Sequence, residues 1–224
     1  MRQTCPLYAR ILLTVVCGLS LMLPGCAQFA LVGLLLGGPP HIEPEFDRET
    51  GDSLVGVESK VVVVCYTDPR LKLKFSKLDA EVATYVTRLM QLNRINAVEP
   101  EAVRAWIDEH PDWETADEIG AALEADYVVE VEVTDFDLYE THSTTLYRGR
   151  TTAYLRTYKL GEDATTAERV FSKDINFMYP TKMARSSYDL TEIEFKREFL
   201  SRLGEEIGFM FYPSYNGDKI PWAT

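Results

Sequence analysis

Positive charge is scarce in this chain: 23 lysines and arginines face 35 aspartates and glutamates, a net charge of −12 at pH 7. An acidic protein has no electrostatic reason to approach a phosphate backbone, so nucleic acid is not expected as a partner. Histidine is scarcer still. The three present, His41, His110 and His142, have no zinc-like spacing, so no metal site is expected. The G-x-S-x-G nucleophile elbow, the phosphate-binding P-loop and the glycine fingerprint of dinucleotide sites are all missing. Without them the chain reads as a non-enzyme with no cofactor. Internal repeats and low-complexity tracts are lacking too. What remains, 46% hydrophobic and 26% charged residues, is the balance of one folded domain of ordinary size.

The amino terminus carries the strongest signal. Arg2 and Arg10 supply a positive start, residues 11–23 an apolar core of signal-peptide length, and Leu23-Pro24-Gly25-Cys26 closes it. This segment resembles the lipobox of bacterial lipoproteins, where a dedicated signal peptidase cuts before the cysteine and the sulfur receives diacylglycerol. The resemblance implies that Cys26 heads the mature chain, acylated on sulfur and usually on nitrogen. Each buried methylene contributes roughly 0.8 kcal/mol, so two or three acyl chains make a durable membrane anchor. Ala27 stands where an aspartate would, in the enterobacterial sorting rule, imply inner-membrane retention. An outer-membrane protein facing the periplasm is therefore expected. The alternative is an uncleaved single span, because residues 11–38 are almost free of charge. Pro24-Gly25 breaks that run in two.

Cysteine usage follows from the leader. Cys5 and Cys17 depart with it and lipid takes Cys26, so Cys65 alone remains and no intrachain disulfide is possible. Cys65 lies in Val61-Val62-Val63-Val64-Cys65-Tyr66, an apolar strand, and reads as a buried structural thiol.

Four parts are expected: a signal peptide (1–25), a lipidated apolar segment and tether (26–56), an α/β domain (57–212) and an aromatic-containing tail (213–224). Prolines and charges in 39–56 suggest a spacer that holds the domain off the membrane. Residues 61–66 are apolar on both faces, as a central covered strand would be. Ser76 is placed to cap a helix carrying Leu78, Val82, Tyr85, Val86 and Leu89 on one face. Residues 95–98 are its parallel partner strand. Pro100 opens a helix with Val103, Trp106 and Ile107 inward, and Thr115 with Glu118 marks a capping box for the next. Residues 126–138, 144–160 and 170–178 form an antiparallel meander. A last helix over 190–211 buries Phe195, Phe199, Leu203 and Ile207. The predicted class is α/β, a single mixed sheet in the order β-α-β-α-α-β-β-β-α with helices mainly on one face.

Within that order, Ala125-Asp126-Tyr127-Val128-Val129 opens the meander, and a turn from Gly161-Glu162 to Val170-Phe171 leads into its last strand. These features resemble a group of bacterial envelope lipoproteins. The group includes the curli secretion lipoprotein, the amino-terminal domain of the Tol translocation protein and lipoprotein activators of peptidoglycan synthases. The likeness covers roughly residues 60–211. It implies a periplasm-facing adaptor or assembly factor with no inherited active site.

The residues expected to meet a partner are Arg148, Arg150, Tyr154, Arg156 and Tyr158 on one face of the meander, with Tyr215 and Trp222 in the tail. Arginine and aromatic side chains are the types enriched at interfaces. The competing reading pairs the arginines with Glu130 and Glu132 across the sheet, and docks the tail back on the domain. Asp135, Asp137 and Glu140 have the chemistry of a cation site at a strand end, but they lack a glycine turn and a fourth ligand. The expected partners are envelope proteins or further copies of the chain, and the membrane through acyl groups. The alternative class is a small envelope hydrolase, which needs an acid/base pair in a cleft.

Overall fold

The computed structural model describes residues 41–161, 166–215, 217–219 and 222. The leader, Cys26 and residues 27–40 lie outside the described residues. The first described elements are β1 (His41–Ile42) and the short helix α1 (Glu45–Thr50). Next come β2 (Lys60–Thr67), α2 (Pro69–Lys74), α3 (Leu78–Leu92) and β3 (Asn96–Ala97). Helices α4 (Pro100–Glu109) and α5 (Ala116–Ala122) lead into the long strands β4 (Tyr127–Tyr139), β5 (Leu146–Leu160) and β6 (Ala167–Tyr179). A two-residue β7 (Arg185–Ser186), α6 (Glu192–Gly208) and β8 (Ser214–Tyr215) follow.

The main sheet is open and mixed, in the order β3-β2-β4-β5-β6, with β7 paired to β5. Strand β2 runs parallel to β3 and β4, while β4, β5 and β6 are antiparallel. Covering explains the two sequence patterns. Val61 and Val63 join a large core with α3 and α6, whereas Val62 and Val64 join a smaller one with α4 and α5. All four are at most 1% exposed, so β2 is apolar on both faces. The meander has its helices on one side along most of its length. Accordingly Val129, Val131 and Val133 of β4 alternate with Glu130, Glu132 and Thr134. Helix α6 buries Phe195, Phe199, Leu203 and Ile207 as its spacing requires. It lies so close to β5 that a Cβ on Gly149 would stand 2.3 Å from the Phe199 ring.

Residues 39–56 are not a tether throughout. Helix α1 buries Phe46, which meets the rings of Tyr127, Phe171 and Phe211 at 5.5–5.9 Å. Its amide donates to the Met210 carbonyl at 3.0 Å, and Leu54 is buried beyond the helix. Lys173 of β6 reaches Glu45 at 3.2 Å and Glu49 at 2.7 Å. The charges that suggested a spacer are the outer side of an amphipathic turn.

The caps also differ from expectation. Helix α3 starts after Lys77 with no side-chain cap, so Ser76 does not serve as one. Thr115 precedes α5, but its hydroxyl donates to the Glu118 carboxylate at 2.8 Å rather than accepting from the backbone. A complete capping box forms instead at Thr191 and Glu194, ahead of α6.

Candidate functional site

The face of the meander turned away from α3 and α6 carries the expected arginines and Tyr154. Strand alternation puts them there, and the register sets their neighbours. Arg156 stands between Glu130 and Ser172, Tyr154 between Glu132 and Asp174, and Arg150 between Asp137 and Met178. The guanidinium of Arg156 meets Glu132 at 2.8 Å and lies 6.0 Å from the Tyr154 ring centre. Tyr154 itself is 39% exposed.

At the far end of the face a second cluster forms. Glu140 takes Arg148 at 3.0 Å and Arg150 at 3.6 Å. Arg148 also donates to the Lys182 carbonyl at 2.8 Å, and Arg150 to Thr141 Oγ1 at 2.6 Å and the Tyr139 carbonyl at 3.1 Å. These bonds hold two long side chains in fixed positions. Glu140 therefore anchors both arginines. Asp137 accepts from the Tyr139 amide at 3.0 Å and lies 3.9 Å from Lys74. Among the described residues no group of three or more acidic, histidine or cysteine side chains is placed to hold a metal.

Glu130 is the least solvated carboxylate of the face, at 9% exposure. Burial pushes its pKa up, and the nearby Arg156 opposes that shift. Tyr158 is half-buried against the smaller core, where burial, with Glu130 next, raises its hydroxyl pKa. It supports the face rather than projecting from it. Cys65 is half-buried, and desolvation drives its thiol pKa upward, the opposite of an activated nucleophile.

The two tail residues separate. Tyr215 is exposed on β8, whereas Trp222 is only 3% exposed and packs back on the domain. Its ring lies 5.4 Å from that of Phe177 and 6.0 Å from that of Phe209. Its indole N–H donates to Glu205 at 3.1 Å, and its carbonyl accepts from the Thr181 amide at 2.8 Å. The carboxylate waiting on α6 gives a buried indole the acceptor it needs.

Among the described residues no helix is long and apolar enough to cross a membrane. No protein-family model matches the sequence, and no curated protein matches it. Solved structures align with the chain at low identity. The PelC dodecamer from Paraburkholderia phytofirmans has 8% identity and a TM-score of 0.43, over 72% of this chain and 92% of that one. Lipoprotein GNA1162 from Neisseria meningitidis has 11% identity and a TM-score of 0.39, over 66% and 97%. The LpoB C-terminal domain from Escherichia coli has 12% identity and a TM-score of 0.34, over 59% and 91%.

Proposed function

We propose that the protein is a lipid-anchored accessory factor of the bacterial envelope, facing the periplasm from the outer membrane. It acts without catalysis, by binding envelope proteins or further copies of itself through the open meander face. The observation that carries the reading is Leu23-Pro24-Gly25-Cys26 behind an arginine-flanked apolar run. The face adds to it. Arg148, Arg150, Tyr154 and Arg156 are residue types that dominate binding energy, and the first two are held in place by Glu140. Glu132 and Glu140 are engaged by guanidinium groups, an arrangement that suits recognition better than proton transfer.

The anchor is tested by growing expressing cells with a fatty-acid label, with and without an inhibitor of the lipoprotein signal peptidase. Label on the wild-type chain, its loss in Cys26→Ser, and precursor accumulation under the inhibitor are expected. A free thiol at Cys26, or a leader retained without inhibitor, overturns the reading. Double substitution Arg148→Glu and Arg156→Glu should reduce cross-linking to envelope companions severalfold while leaving the label in place.

A further inference from the structure

Strand β3 is too short to cover the strand beside it. It pairs only with Lys60 and Val61, and the last bond runs from the Val98 amide to the Val61 carbonyl at 2.8 Å. On the other edge of β2, the Lys60 carbonyl accepts from Asp126 and the Asp68 amide donates to Val133. Even-numbered residues of β2 thus turn their backbone groups toward β4, and odd-numbered ones toward β3. Beyond Val61, no strand among the described residues pairs with that second edge. Among the described residues, no hydrogen bond reaches the N–H or C=O of Val63 or Cys65 from that side. Val63 is 1% exposed, so little solvent reaches its backbone groups at the bottom of that gap. Unmet groups in such a place are costly.

The gap opens into a crevice of about 310 Å³ with Val63 and Cys65 on its floor. Helix α3 forms one wall with Ala80 and Ala83, and α4 the other with Val103 and Ile107. After β2 the chain passes to helices on one face of the sheet, and after β3 to helices on the other. This is the switch point at which open α/β sheets receive ligands, outside the carboxyl ends of their strands.

We propose that this crevice binds an extended peptide from another protein as an added strand beside β2. Alternating donors and acceptors along an edge are answered in full only by another extended backbone. Side chains of the added strand point alternately to the two walls, and the alanines of α3 leave room for them. Charge at the mouth narrows the ligand further. Asp79 is paired with Lys72 at 3.1 Å, Asp108 with Arg104 at 3.8 Å and Glu101 with Arg88 at 3.9 Å. Lys77, exposed at the start of the fifteen-residue α3, has no ion pair among the described residues. The helix dipole adds to its field. The peptide therefore carries small or apolar side chains and one carboxylate that meets Lys77. The site depends on neither the acyl anchor nor the meander face.

The test uses the full chain, isotope-labelled in detergent micelles, and peptides selected on it from a random octapeptide library. In the free protein, the Val63 and Cys65 amides should exchange with solvent faster than those of Val62 and Val64. A selected peptide should slow them roughly tenfold or more, and methylating its alternate backbone nitrogens should weaken binding roughly tenfold. Ala83→Trp should fill the crevice and abolish binding. Lys77→Glu, on an exposed side chain, should weaken binding severalfold without touching the fold. Selection of no peptide, unchanged exchange at Val63 and Cys65, or equal binding by the methylated peptide would each overturn the proposal.

Discussion

Replacing Phe46 with alanine separates a folded helix α1 from a loose spacer. The ring is fully buried and meets three other aromatic rings, those of Tyr127, Phe171 and Phe211. Two of these contacts, at 83° and 78° between planes, are edge-to-face, a geometry worth about 0.5–1.5 kcal/mol beyond area burial. Truncating a buried phenylalanine to alanine costs about 3–5 kcal/mol, because the transfer energy is lost and a cavity remains. The surrounding rings are set on separate parts of the chain and cannot all close on that hole, so a value near about 4 kcal/mol is expected. With a urea m-value of about 2 kcal/mol/M, the unfolding midpoint should fall by about 2 M. Ile42→Ala, at a side chain 52% exposed, serves as control and should shift it little. A Phe46→Ala midpoint within about 0.3 M of wild type would mean that residues 45–55 do not pack on the sheet, and the reasoning fails.

Three further outcomes are expected. Gly149→Ala forces a methyl group against the buried Phe199 ring and should cost about 1–3 kcal/mol, read as a drop of about 2–4 °C in Tm for each kcal/mol. Trp222→Ala should destabilise by about 3–5 kcal/mol, whereas a frayed terminus would leave urea unfolding unchanged. Stability should respond to pH with opposite signs at two carboxylates. Hydrogen bonds from Lys159 and then Tyr127 depress the Asp52 pKa, so its contribution is present above the ordinary aspartate value and lost as pH falls through the depressed one. Burial raises the Glu130 pKa, so stability falls as pH climbs from the ordinary glutamate value through the raised one, and Glu130→Gln should remove that slope. Denaturant titrations of Asp52→Asn and Glu130→Gln between about pH 3 and 7 would show both effects.

Legibility followed periodicity. Residues 61–66 could be placed as a covered strand because valines on both faces leave no solvent side, and β4 and β5 because their alternation is regular. Phe195, Phe199, Leu203 and Ile207 marked one helix face in the same way. Phe46, Leu54 and Trp222 belong to no repeat. Each is an isolated apolar residue outside any regular pattern, and its burial depends on elements elsewhere in the sequence. The site divides similarly. Alternation put Arg148, Arg150, Tyr154 and Arg156 on one face, but the chain breaks register between Val133 and Asp135 and again between Asp137 and Tyr139. Those irregularities bring Glu140 to two arginines, and a bulge leaves no mark in composition. The open edge of β2 was hidden for a related reason. Residues 95–98 read as a short parallel partner strand, a reading that says nothing of how far the ladder runs, and the helix beginning at Pro100 ends it at Val61.

The proposed anchor changes what the two surfaces must achieve. An interface that finds its partner from dilute solution needs a large apolar centre. The meander face has none: acids and arginines alternate across it, held in pairs such as Glu132 with Arg156. Breaking those pairs to dock a partner returns little net energy, since each exposed pair contributes at most about 1 kcal/mol. A chain tied to the same bilayer as its partner meets it at an effective concentration near the millimolar range. Weak contacts, each specified by charge register or by strand pairing, then suffice together where neither would alone. Cutting the tether while leaving the domain intact should therefore abolish partner capture more completely than disabling either surface.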